Sequence, residues 1–185
     1  MVVWTSGCSR YETTGVMAML NDRGIVARDF RAGSRICAGD TLILCLSSAP
    51  LLGWCRYLKT IRWVAGRYDV RLIVLCPEVV YRSGVVNGRN MVAVNGESKL
   101  FRLVQVVTQT VLNHFQKGDK EGNQKAMWSV FLEQASEIML ISPSSETGVT
   151  QARRAYHVRN LMVQHLGFPS LLKLKVFMAG TSSFS

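Results

Sequence analysis

The sequence has few of the residues from which common catalytic and metal sites are built. It contains 3 histidines at no recognisable metal-ligand spacing, and its 5 cysteines include no Cys-x-x-Cys pair. No glycine-rich phosphate loop, Ser/His/Asp set or pair of carboxylates can be assembled from the remaining residues. We therefore predict that the protein has no catalytic residues, binds no metal or cofactor, and is not an enzyme.

Long hydrophobic runs are also missing. No apolar run reaches the roughly 18 residues needed to cross a bilayer, and the first residues lack the charged and apolar regions of a signal peptide. The odd number of cysteines, three of them in apolar runs, is typical of reduced and mostly buried thiols, and Cys8 is expected to be packed. These features predict a cytoplasmic protein with no membrane association.

Acidic residues are scarce. Asp and Glu number 12 against 22 Lys and Arg, which gives a net charge of +10 and indicates an acidic partner such as nucleic acid. The imbalance is greatest at residues 149–185, where there is no acidic residue and the basic ones are Arg153, Arg154, Arg159, Lys173 and Lys175.

Residues 1–116 alternate short apolar runs with helical patterns. The nearly continuous runs Asp40–Leu46 and Arg71–Cys76 are typical of strands covered on both faces, and the helical pattern of residues 51–65 lies between them. Because each parallel crossover usually returns through a helix, this alternation predicts an α/β doubly wound parallel sheet. Its other strands are expected at residues 2–4, 25–30 and 91–94, and residues 78–90 have no clear pattern.

The second half of the chain has a purely helical pattern. Residues 116–125 contain no apolar residue, which is typical of a linker. We predict an α/β domain at 1–116, a linker at 117–126 and an all-α domain at 127–185, with helices over residues 128–139, 150–167 and 169–178.

The helix expected at residues 150–167 has two stripes. Arg153, His157, Asn160 and Gln164 form a polar stripe, and Ala155, Val158, Met162 and Leu166 form an apolar one beside it. A helix that buries the apolar stripe, with Met162 and Leu166 covered, presents side chains that can contact phosphates and base edges in a major groove. An ordinary amphipathic surface helix would show the same spacing.

Two segments carry a resemblance to a known family. Residues 8–25, C-S-R-Y-E-T-T-G-V-M-A-M-L-N-D-R-G-I, resemble the opening of RcsA-like auxiliary regulators, and residues 153–168 with the following Ser170-Leu-Leu resemble the recognition helix of LuxR/FixJ-type transcriptional regulators. The resemblance implies a flavodoxin-like receiver domain followed by a helix-turn-helix domain, shortened here between Met139 and Arg153. It also implies a bacterial, cytoplasmic, nucleoid-associated protein.

The resemblance implies sequence-specific binding of double-stranded DNA and regulation of transcription. An alternative register places the first helix of the motif at residues 151–160 and the reading helix at 169–178. Across both registers, the residues expected to contact DNA are Arg153, Arg154, His157, Arg159, Asn160, Gln164, Lys173 and Lys175.

The phosphate chemistry of a receiver is not expected. Phosphoryl transfer to an aspartate needs carboxylates that hold a divalent cation and a lysine partner. The corresponding positions here are Thr5, Ser6 and Gly7 after the first strand, Cys45 to Ser47 after the third, and the vicinity of Asn95 after the fifth. We therefore predict a pseudo-receiver that acts independently of phosphorylation.

RcsA-like regulators pair with a phosphorylatable partner, so the resemblance implies a heterodimer with a LuxR/FixJ-type response regulator, or a homodimer. The expected partner interface consists of Lys99, Arg102, Gln105, Gln109 and Trp128. The rival interpretation is a protein-only adaptor or anti-regulator that binds such a regulator without contacting DNA. Trp54, Trp63 and Trp128 stand at helical spacing and are expected in the core or an interface rather than as base-stacking platforms.

Overall fold

The computed structural model of the chain describes residues 2–88, 90–113, 123–140 and 149–179, with the backbone alone for residues 123–129 and 149–152. The strands are β1 (Val3–Gly7), β2 (Ala27–Asp29), β3 (Thr41–Cys45), β4 (Arg71–Cys76) and β5 (Met91–Asn95). The helices are α1 (Arg10–Asn21), α2 (Cys55–Arg67), α3 (Glu78–Ser83), α4 (Leu100–Leu112), α5 (Asn123–Leu140), α6 (Val149–His165) and α7 (Leu171–Met178). In the described part of the chain, no helix combines the length and the apolar character needed to span a membrane.

The five strands form one parallel sheet in the order β2-β1-β3-β4-β5. This order is that of flavodoxin-like doubly wound sheets, and it confirms the predicted α/β architecture. Strands β3 and β4 are buried along almost their whole length, because helices cover both faces of the sheet at its centre.

Two hydrophobic clusters lie on opposite faces of the sheet. Helices α1 and α4 cover one face, where Leu20, Val107 and Val111 pack against Ile43 and Ile73. Helices α2 and α3 cover the other face. Helix α3, for which the sequence had no clear pattern, begins after Pro77 and ends at Gly84, whose φ of 67° suits a helix C-terminus.

The connection from β2 to β3 departs from the expected alternation, because residues 30–40 contain no helix. Phe30 and Ile36 pack against the core in its place. Asp40 fixes this segment: its carboxylate accepts hydrogen bonds from the Val2 N–H at 2.8 Å, the Trp4 indole N–H at 3.1 Å and the Cys37 N–H at 3.1 Å. The helix-free crossover leaves room on this face of the sheet for elements from elsewhere in the chain.

The C-terminal helices share the core on the α2 face. Phe177 of α7 stacks on Trp54 with ring centroids 6.0 Å apart, and Phe168 lies 5.2 Å from Phe177 and 6.3 Å from Phe131 of α5. The Gly53 N–H also donates to the Val176 carbonyl at 2.9 Å. Within the described residues, α5 to α7 are therefore not distinct from the sheet, although a separate domain was expected at 127–185. Helix α5 also begins inside the expected linker, of which residues 117–122 lie outside the described part.

Candidate functional sites

The carboxyl ends of β1 and β3 form the crevice at which ligands bind in sheets of this topology. Residues that follow these strands meet here, because Gly7 pairs with Cys45 in the parallel register. A Cβ atom added at Gly7 would overlap the Cys45 carbonyl, and one at Gly96 would overlap Ser47. The two glycines therefore allow the loop after β3 to pack closely against its neighbours.

Glu12 fills this crevice with a carboxylate. The Ser47 N–H donates to Oε1 at 3.1 Å, the Ser48 N–H donates to Oε2 at 3.2 Å, and both hydroxyls also donate to the carboxylate, that of Ser48 at 2.7 Å. Sequence reasoning expected no charged group at these positions and missed Glu12, which lies 35 residues from Ser47. The only signal was its place in the first turn of α1, where Ser9 caps the helix.

The crevice does not supply the groups of a phosphate-accepting site. Cys45 stands where an acceptor aspartate would be expected, and it is fully buried, which raises the pKa of its thiol, as does the nearby charge of Glu12. No group of three or more His, Cys, Asp or Glu side chains suitable for a metal ion occurs among the described residues. Cys8 is exposed rather than packed, with its Sγ 3.8 Å from the Ser48 hydroxyl.

Helix α6 presents a basic face to solvent. Of the residues expected to contact DNA, Arg153, Arg154, His157 and Gln164 are exposed. Arg159 and Asn160 are only partly exposed and line a pocket together with Ser170 and Leu171 at the start of α7. The Arg159 guanidinium lies 5.3 Å from the centroid of the Tyr156 ring. Those two residues therefore fit the prediction less well.

The apolar stripe of α6 is rotated from the expected one. Leu166 is buried and Met162 packs against the core, as predicted, but Val158 is 49% exposed. Val163, which was not part of the expected stripe, is 1% exposed, so the buried face extends past Leu166 on the side away from Val158. Helix α6 contacts both α5 and α7. Two neighbouring helices bury a wider part of its surface than a single apolar stripe predicts, which explains the difference.

Helix α7 is a separate helix with its own start. Gly167 ends α6 with φ of 78°, the Phe168 N–H donates to the Val163 carbonyl at 3.1 Å, and Ser170 caps α7 through the Lys173 N–H. Lys173 and Lys175 are exposed, as the alternative register requires. The structure thus leaves the basic residues of both registers accessible.

Of the expected partner interface, Lys99 to Gln109 lie on α4 or directly before it, whereas Trp128 lies in α5. Lys99, Arg102, Gln105 and Gln109 are all exposed, and the side chain of Trp128 lies outside the described part. Sequence reasoning missed three large apolar side chains beside them, which the structure leaves between 61% and 79% exposed: Leu100, Phe101 and Leu112.

The two described tryptophans at helical spacing differ. Trp54 is fully buried, which confirms the core prediction, whereas Trp63 is 55% exposed on the outer face of α2.

No protein-family model matches the chain, and comparison with curated proteins and with solved structures likewise gave no match.

Proposed function

We propose that the protein is a phosphorylation-independent, DNA-binding transcriptional regulator of the LuxR/FixJ type with a degenerate receiver. The observation that carries the proposal is the exposed face of α6, which combines Arg153, Arg154, His157 and Gln164 with no acidic residue anywhere in the helix. Such side chains contact phosphate oxygens and hydrogen-bond base edges in a major groove.

The sheet supports the second part of the proposal. Glu12 occupies the crevice with four hydrogen bonds from Ser47 and Ser48, so the loop after β3 already holds an anion without phosphorylation. If the receiver does not respond to phosphorylation, another signal must regulate the activity of the protein. We propose that a response-regulator partner supplies this signal.

The α4 surface supports pairing with such a partner. Phe101 and Leu112 provide apolar contact area on the same helix as the exposed Arg102, Gln105 and Gln109. The positive charges of Lys99 and Arg102 suit an acidic partner better than a second copy, because like charges repel across a two-fold axis.

The protein-only adaptor is the second candidate. It is favoured by Leu161 and Val158, which are 52% and 49% exposed on α6 close to the basic side chains. Exposed aliphatic side chains are more typical of a protein contact than of a phosphate contact.

Fluorescence anisotropy with labelled duplex DNA tests the function directly. Arg153→Ala removes a phosphate or guanine contact worth roughly 1–3 kcal/mol, so duplex affinity should fall about 5- to 150-fold at constant salt. Lys173→Ala/Lys175→Ala is the comparison, since those two residues are also exposed and lie on the neighbouring helix.

The outcomes separate the candidates. Loss of affinity with Arg153→Ala alone supports binding through α6, and loss with the lysine variant alone supports the α7 register. If the wild-type protein binds no duplex DNA, either alone or with a co-purified regulator, the result would exclude the DNA-binding regulator and favour the protein-only adaptor. Sedimentation at two salt concentrations with Arg102→Glu then measures whether α4 holds the partner.

A further inference from the structure

Helix α2 has an outer face that the function above does not use. Its inner face is buried in the core through Cys55, Leu58, Ile61 and Val64. At helical spacing, the outer face carries Arg56, Lys59, Trp63 and Arg67, all of them exposed. The helix has four basic residues and no acidic residue. The α2 stripe is the outer face formed by Arg56, Lys59, Trp63 and Arg67.

Trp63 lies at the centre of the α2 stripe, and two neighbouring side chains contact its ring. The ring of Tyr68 packs against it edge-on, with centroids 5.8 Å apart and an interplanar angle of 79°. The Arg67 guanidinium lies 5.4 Å from the Trp63 ring centroid. Although the Arg67 guanidinium lies over the ring, Trp63 remains 55% exposed, which leaves ring surface on which a base can stack.

We propose that the α2 stripe binds single-stranded nucleic acid. A base stacks on the exposed indole of Trp63, and Arg56, Lys59 and Arg67 contact the phosphates on either side of it, which is how proteins hold single strands without reading a sequence. The stripe spans 11 residue steps, or about 16 Å of helix, enough for about four or five stacked nucleotides.

The burial of the apolar face of α2 favours single-stranded nucleic acid over a membrane surface as the ligand of the α2 stripe. An interfacial helix inserts its apolar face, but the apolar face of α2 is already packed against the sheet. Duplex DNA also fits less well, because its base faces are stacked inside the helix and cannot reach an indole. The α2 stripe is distinct from α6, so this inference does not depend on the proposed function.

Fluorescence anisotropy with a labelled 15-nucleotide oligo(dT) tests the proposal, with a 15-base-pair duplex and phosphatidylserine vesicles as competing ligands. Trp63→Leu removes the ring but keeps apolar bulk, and should weaken binding of the oligonucleotide at least 5-fold. Trp63→Phe keeps a ring and should retain most of the affinity. Because Trp63 is on the surface, both variants should melt close to the wild-type temperature.

The phosphate contacts are measured by salt dependence. Arg56→Gln/Lys59→Gln/Arg67→Gln should lower the slope of log affinity against log salt by about 2, since each phosphate contact on a single strand contributes about 0.7. The matched control is Arg10→Gln/Arg23→Gln/Arg28→Gln, which removes the same charge from exposed positions in or next to α1 and β2. This control should leave the slope unchanged.

Three results would overturn the proposal. The first is an equal loss of slope in the control, which would mean that net charge alone attracts the strand. The second is an unchanged affinity with Trp63→Leu. The third is a preference of the wild-type protein for duplex or vesicles that disappears in the Arg56/Lys59/Arg67 variant, which would assign the α2 stripe to a different ligand.

Discussion

At the scale of single residues, burial divides the cysteines into two groups. Cys45, Cys55 and Cys76 are buried, and loss of hydration raises the pKa of each thiol, that of Cys76 to about 12. Cys8 and Cys37 are exposed. Because the thiolate is the reactive species, the buried thiols are inert at neutral pH in the folded protein.

This division predicts the outcome of thiol labelling. A maleimide reagent at pH 7 should modify Cys8 and Cys37 quickly in the native protein and the three buried cysteines only after denaturation. Mass spectrometry of the labelled peptides measures this directly. Rapid native labelling of Cys45 or Cys76 would contradict the burial of β3 and β4.

The side chain of Asp40 contributes to the stability of the sheet at the amino ends of β1 and β3. Its burial opposes ionisation, but hydrogen bonds from the Val2 N–H, the Cys37 N–H and the Trp4 indole outweigh that effect and lower the pKa of the carboxyl. A lowered folded-state pKa contributes stability above the unfolded value of about 3.9, and this contribution is lost as the pH falls through the folded pKa.

Asp40→Ala should therefore cost about 2–4 kcal/mol at pH 7, because three donors lose their charged acceptor. Urea unfolding at several pH values measures the effect, and the variant should lose less stability than the wild type as the pH falls below about 4. Asp69→Ala serves as the control, since Asp69 is exposed and its surface position should make the change nearly neutral. Equal costs for the two variants would contradict the role given to Asp40.

At the scale of elements, the turn between α6 and α7 determines how the C-terminal helices meet the sheet. Gly167 has φ of 78°, and a Cβ atom there would lie 2.9 Å from the backbone of Arg82 and Ser83. The turn thus packs directly against the end of α3, and this approach is possible only without a side chain.

Gly167→Ala should destabilise the protein by about 1–2 kcal/mol from backbone strain, with the close contact adding to that cost. Gly66→Ala is the matched control: Gly66 lies within α2 with no atom near an added Cβ, so the same substitution should stabilise by up to about 1 kcal/mol. Thermal melting of both variants measures the difference in sign. A neutral Gly167→Ala would show that the turn does not pack on α3.

At the scale of the whole molecule, the aromatic contacts between Trp54, Phe177, Phe168 and Phe131 join the start of α2 to α5, to α7 and to the turn between α6 and α7. A shared core of this kind couples the stability of the two halves of the chain, since neither half can lose its packing without exposing the other.

The chain should therefore unfold in a single transition, with tryptophan fluorescence and far-ultraviolet circular dichroism giving coincident curves. Phe177→Ala should lower the free energy of unfolding of the whole chain by about 3–5 kcal/mol. Leu172→Ala on the exposed side of the same helix is the control and should change it little, because Leu172 is 71% exposed. Two separate transitions would instead show independent domains.

The sequence by itself determined the sheet. Strands β3 and β4 consist of nearly continuous apolar runs, and such runs are stable only when both faces are covered, so the parallel α/β arrangement followed from composition and order. The exposure of Arg153 and His157 beside the buried Leu166 was also predictable, because helical periodicity records which side of α6 is covered.

Only the tertiary structure decided what covers each face and which distant groups meet. Helical spacing did not distinguish Trp54, which α7 covers, from Trp63, which remains exposed, because periodicity does not identify the neighbour. The carboxylate of Glu12 reaches Ser47 and Ser48 only because parallel strands end at the same edge of the sheet. Such contacts depend on the packing of elements far apart in the chain, which local patterns do not record.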